Sequence, residues 1–79
     1  MVRVNLFAGM AEAAGGRHLD IDWHGGSVAD LRAAVAAACP AVATLLARSA
    51  VAVAGRYAPD QAAVGAGMDV AIIPPVSGG

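Results

Sequence analysis

Val70-Ala71-Ile72-Ile73-Pro74-Pro75-Val76-Ser77-Gly78-Gly79 is the stretch on which the reading of this chain turns. The four apolar residues Val70 to Ile73 need the interior of a sheet, whereas Pro74 and Pro75 carry no N–H for a ladder and end the pairing. Beyond the prolines only Val76 and Ser77 bear side chains. At ~3.3 Å per extended residue the segment from Pro74 reaches roughly 20 Å, and the Pro-Pro pair stiffens its base. That is enough to enter another protein's active site. Glycine pairs also occur at Gly15-Gly16 and Gly25-Gly26, so glycine alone carries little weight. The position of Gly78-Gly79 at the end of the chain, following a strand with no charged linker between, carries the functional reading.

The rest of the chain reads as support for that strand. Val2, Val4 and Leu6 alternate with Arg3, Asn5 and Phe7, the period of a strand with one core face. This places Phe7, the single phenylalanine, outside the main core and hints at a contact surface. Met10 to Ala14 predicts a short helical turn closed by Gly15-Gly16. His18 to Trp23 predicts a second strand, with Leu19, Ile21 and Trp23 on one face and His18, Asp20 and Asp22 on the other. The period then changes. Ser27 stands where an N-cap belongs, Asp30 follows in the first turn, and Val28, Leu31, Val35 and Ala38 recur at helical spacing up to Cys39. Pro40 ends that helix or begins a second turn, and Val42, Leu45 and Leu46 prolong its apolar face. Val51 to Ala54 predicts a short strand, Gly55-Arg56 a turn and Tyr57-Ala58 its return, while Pro59 to Gly67 reads as loop.

This order dictates an architecture. The first two strands pair, the helix covers their apolar face, and the final strand, the most apolar, takes a central place parallel to the first across a helical crossover. The expected fold is therefore α+β, a β-grasp or ubiquitin-like domain whose mixed sheet wraps around one main helix. Residues 1–75 are expected to form that domain and residues 76–79 a flexible C-terminal Gly-Gly tail.

Composition narrows the function. A chain of 79 residues makes one small domain with little room for an enclosed active site. Its 58% hydrophobic residues exclude disorder, although many are alanines. The formal net charge of -1 offers no electrostatic footprint for nucleic acid or anionic lipid, and predicts partner binding that is mainly apolar and weakly salt-dependent. No membrane span is legible, the start reads as a strand rather than a signal peptide, and one cysteine fits a reducing cytoplasm. All five basic residues are arginines.

Val4-Asn5-Leu6-Phe7-Ala8, Ser27-Val28-Ala29-Asp30-Leu31, Val51-Ala52-Val53 and above all Asp69 to Gly79 resemble the small subunit of molybdopterin synthase, a ubiquitin-like sulfur carrier. The resemblance covers essentially the whole chain, and its ending is the specific part. It implies that the terminal carboxylate of Gly79 is adenylated by an ATP-using activating enzyme, converted to a thiocarboxylate with sulfur from a sulfurtransferase, and used to sulfurate a pterin precursor. It implies also that Gly78 and Ser77 thread the tail into the partner, where a backbone without Cβ atoms passes a narrow channel. Phe7, Pro74, Pro75 and Val76 would meet the large subunit, in an expected heterotetramer, and that partner would supply the catalytic side chains. No cofactor or metal is expected on the chain itself; ATP belongs to the activating partner.

Other candidate sites are weaker. Cys39, at an apolar helix end with nothing basic beside it, reads as a buried structural thiol. His18 and His24 among Asp20 and Asp22 match no standard metal-ligand spacing. Gly65-Ala66-Gly67 lacks the strand-to-helix context of a nucleotide loop, and Arg56 and Tyr57 read as turn and surface residues. No serine, histidine and acid set suggests self-contained hydrolysis. Two rivals share the fold: a sulfur carrier for thiamine or another sulfur-transfer pathway, and a non-catalytic β-grasp binding module.

Overall fold

The computed structural model describes residues 1–75. Val2–Leu6 forms β1, with Val2, Val4 and Leu6 buried and Arg3 exposed, as the period of two requires. Phe7, still extended at φ -129° and ψ 153°, then starts α1 (Ala8–Ala14), which begins at Ala8 rather than Met10. Met10 enters the core with no exposed surface. Gly15 closes the helix at φ 77°, its N–H donating to the carbonyls of Ala11 and Glu12.

The second strand, β2 (His18–Ile21), is shorter than expected and stops before Trp23. Trp23 is nonetheless buried, and its indole Nε1 donates to the Val64 carbonyl at 3.0 Å. That contact anchors a small second sheet, in which β3 (Gly26–Ser27) pairs with β6 (Ala63–Val64) inside the stretch expected to be loop. A two-residue strand is too short to show alternation, which is why periodicity does not reveal it.

The main helix is α2 (Val28–Ala38). Ser27 Oγ accepts from the Asp30 N–H and the Asp30 carboxylate accepts from the Ser27 N–H, a complete capping box. Val28, Leu31 and Val35 face the core. Ala38, expected on that face, is exposed, and Cys39, expected to be buried, is only partly so. The chain leaves the helix at Cys39 (φ -141°, ψ 81°), which turns the last residues off the apolar stripe. A 3-10 turn (Pro40–Val42) and the one-turn α3 (Ala43–Leu46) follow at a bend of 119°, with Val42 and Leu46 buried. No single described helix is long and apolar enough to cross a membrane.

β4 (Ala50–Val53) and β5 (Arg56–Tyr57) form a hairpin whose turn is Ala54-Gly55, one residue earlier than expected. Both turn residues have positive φ, 51° and 81°, the combination that matches strand twist in a two-residue hairpin. The last strand, β7 (Val70–Ile73), lies at the centre of the order β2-β1-β7-β4-β5. It runs parallel to β1, with Leu6 opposite Ile72, and antiparallel to β4, with Ala50 opposite Ile73. This is the ubiquitin-like β-grasp arrangement, a mixed five-stranded sheet around one main helix.

Candidate functional site

Strand direction decides what surrounds the base of the tail. Because β1 and β7 are parallel, both end on the same side of the sheet, and Phe7 is carried next to Ile73-Pro74-Pro75. Ile72 and Ile73 point to opposite faces: Ile72 is 1% exposed in the core, while Ile73 is half-buried outside it. Leu45 and Leu46 divide in the same way on α3, Leu46 inward and Leu45 towards Phe7. The outcome is an apolar cleft of about 480 Å³ walled by Phe7, Leu45, Ile73, Pro74 and Pro75, with Ala8 and Gly9 as its floor.

The floor has a structural price in backbone strain. Ala8 sits at φ 49°, a left-handed conformation that costs an L residue roughly 1–2 kcal/mol. It swings the chain from β1 into α1 and leaves Phe7 50% exposed. Gly9 lets α1 lie close to α3, since a Cβ there would stand 3.5 Å from Leu45 Cδ2. At the far end of β7, Asn5 Nδ2 donates to Asp69 Oδ1 at 2.9 Å and to the Val70 carbonyl at 3.2 Å, pinning the register of the central strand.

Around Phe7 a second cleft of about 300 Å³ is lined by Asn5, Leu6, Ala11, Arg17 and His18. The larger cleft has no titratable side chain among its described lining, so it can grip an apolar group and cannot supply acid, base or nucleophile. Of the residues singled out from sequence, Phe7, Pro74 and Pro75 are brought together there. Val76, Ser77, Gly78 and Gly79 lie outside the described residues. His18, His24, Asp20, Asp22, Arg56 and Tyr57 are all exposed, and among the described residues no group of three or more His, Cys, Asp and Glu is placed to hold a metal. Leu45, Ile73 and Asn5 were not legible as site residues. The available signal was the doubling of apolar residues at Leu45-Leu46 and Ile72-Ile73, where only one of each pair can face the core.

The ThiS family model matches residues 4–79. Small archaeal modifier protein 1 from Haloferax volcanii is similar at 33% identity, covering 99% of this chain and 98% of that one with a TM-score of 0.80. A chain assigned as molybdopterin converting factor, subunit 1, from Pyrococcus furiosus is similar at 26% identity, covering 95% and 97% with a TM-score of 0.82. The complex of subunits 1 and 2 of the molybdopterin-converting factor from Helicobacter pylori contains the same fold at 20% identity, covering 99% and 97% with a TM-score of 0.69. No curated protein matches the sequence at a comparable level.

Proposed function

The chain belongs to the ThiS family of ubiquitin-like sulfur carriers, and from that footing we propose that it is the sulfur-donating small subunit of a molybdopterin synthase. In this reading the carboxylate of Gly79 attacks the α-phosphorus of ATP on an activating enzyme and pyrophosphate leaves. A carboxylate is a poor acyl donor, and the adenylate gives it a leaving group. The terminal sulfur of a sulfurtransferase persulfide then attacks the acyl carbon, AMP departs with the C–O electron pair, and a thiol reduces the resulting acyl disulfide, breaking its S–S bond and leaving the thiocarboxylate. The thiocarboxylate sulfurates a pterin precursor held by the large subunit, whose side chains perform the acid–base chemistry. This chain binds no cofactor; ATP is the activating enzyme's co-substrate.

The observation that carries the reading is the placement of β7. A strand locked at the centre of the sheet runs straight into Pro74-Pro75 beside an apolar cleft without titratable side chains, a grip for partners next to the base of a reactive tail. Likeness to a subunit 1 of molybdopterin converting factor supports the pterin pathway; in this reading a large-subunit partner contacts Phe7, Pro74, Pro75 and Val76. The 33% identity with a modifier protein supports a second reading, transfer of the activated Gly79 to an amine. The chain has no lysine, so the acceptor would be an amine of another protein or the α-amino group of Met1 on a second copy.

Intact-mass analysis after incubation with a molybdenum-cofactor activating enzyme, ATP and a sulfur source tests the proposal. The expected product gains one sulfur in place of one oxygen, lost again when the large subunit and pterin precursor are added. An unchanged mass would refute the carrier chemistry, and adducts with other proteins in place of the thiocarboxylate would favour the second reading.

A further inference from the structure

Phe7 has a cleft on each flank, and the chain leaves the domain along one of them. Pro74 and Pro75 line the larger cleft; Arg17, His18 and Ala11 line the smaller, which shares Phe7 and Ala8 with it. Among the described residues no acid lines either cleft. Arg17 and His18 are exposed. The ion pairs among the described residues engage Arg3, Arg32 and His24, and neither Arg17 nor His18. Arg48, exposed just before β4, lines neither cleft. The four residues 76–79 lie outside the described residues and end in a carboxylate. β2 stands two places from β7 in the sheet, about 10 Å at the usual strand spacing of ~4.8 Å. Four extended residues span roughly 13 Å. From Pro75 the carboxylate of Gly79 therefore reaches Arg17 and His18 with little slack.

We propose that in the free protein Val76 to Gly79 turn back across Phe7 and place the Gly79 carboxylate in the smaller cleft, against Arg17 and His18. The inference rests on the reading that Gly79 is the reactive end of the chain. So short a tether presents its carboxylate at an effective concentration on the order of millimolar or above. A guanidinium takes a carboxylate through two parallel hydrogen bonds. Gly78 and Gly79 carry no Cβ, so their backbone can lie close against Phe7. A thiocarboxylate bears the same single negative charge, so the loaded tail docks as the unloaded one does. A partner that covers Phe7 removes the wall over which the tail folds, and partner binding and tail docking exclude each other. Docking thus keeps the reactive end on its own domain between partners, and contact with a partner releases it.

Nuclear magnetic resonance on the free, full-length chain tests this without any partner. At low salt the Gly79 Hα protons of the parent should show Overhauser contacts to the Ala11 methyl and the His18 ring, and the Gly78 amide an order parameter above ~0.6, the upper bound of a flexible backbone. Arg17→Gln should lose the contacts and fall below ~0.6, and so should a chain whose Gly79 ends in a carboxamide, while Arg48→Gln should match the parent. The carboxamide leaves the folded domain untouched, so its loss does not come from misfolding. High salt should weaken the parent's contacts by screening the exposed charges. A parent without these contacts, or contacts that survive amidation, would overturn the proposal. Equal losses in Arg48→Gln and Arg17→Gln would also overturn it, by reducing the attraction to general charge. If acetate shifts the Ala11 and His18 amides as strongly in the parent as in a chain ending at Pro75, the tail is not the occupant of the cleft and the proposal fails. A parent that shows the contacts yet gains no sulfur in the intact-mass experiment keeps its docked tail and defeats the carrier reading alone.

Discussion

Leu31→Ala tests the packing that holds β7 in place. Leu31 is 2% exposed on α2, between Val28 and Val35, which have no exposed surface. Truncation removes three carbons, worth ~2.4 kcal/mol at ~0.8 kcal/mol per methylene. The surrounding core can close the gap only in part, so a cavity term of about 1–2 kcal/mol adds to it. The expected loss is ~3–4 kcal/mol, against a total stability of roughly 4–12 kcal/mol for a domain of this length. With a urea slope of ~1 kcal/mol/M, the unfolding midpoint followed by circular dichroism should fall by about 3 M, or the variant should be unfolded without denaturant. The exposed Ala38→Ser should leave the midpoint within about 0.5 kcal/mol of the parent. A parental midpoint for Leu31→Ala, or equal losses for the two variants, would refute this helix register.

Gly26→Ala should cost roughly 2–3 kcal/mol, because Gly26 sits at φ 154° and a Cβ there would stand 3.1 Å from both Trp23 Cη2 and Asp30 Oδ2. Gly67→Ala, at φ 79° with open space around it, should cost only about 1 kcal/mol in the same melts. Arg32→Ala should destabilise by about 1–3 kcal/mol, since its guanidinium donates to the Leu46 and Ser49 carbonyls at 2.7 Å each and to Asp60 at 3.0 Å; Lys at that position should not restore the loss, having no planar fork. Phe7→Ala should keep the parental melting curve yet weaken binding to the large subunit in calorimetry; unchanged affinity would remove Phe7 from the interface.

What was legible in the sequence was what local chemistry decides. Val2, Val4 and Leu6 declare a one-faced strand, and Ser27 with Asp30 declares a helix start, because a cap is made within four residues. The central, parallel place of β7 followed from its unbroken apolar run and the need for a crossover. The β3–β6 ladder was not legible, as its strands of two residues are defined only by each other. Nor was the turn at Ala54-Gly55, where alanine takes a left-handed conformation that its type gives no reason to expect. Cys39 and Ala38 differ from expectation because helical spacing cannot say where the helix lets go. The cleft was half legible: Phe7 and the prolines stood out, whereas Leu45 joins them only because α3 packs at the end of the sheet where the parallel β1 and β7 both stop.

Deleting Gly79 puts the central claim to its most direct test. The deletion withdraws the chain's reactive carboxylate by ~3.3 Å, as much as the ~3–3.5 Å within which reacting atoms must meet. Thiocarboxylate formation by intact mass, with ATP, activating enzyme and sulfur source in excess, should vanish while the melting curve and affinity for the large subunit stay near those of the parent. Gly78→Val should resemble the deletion, because a β-branched side chain widens the tail and restricts its backbone. A Gly79-deleted chain that forms thiocarboxylate and supports molybdopterin production at the parent's rate would contradict the account.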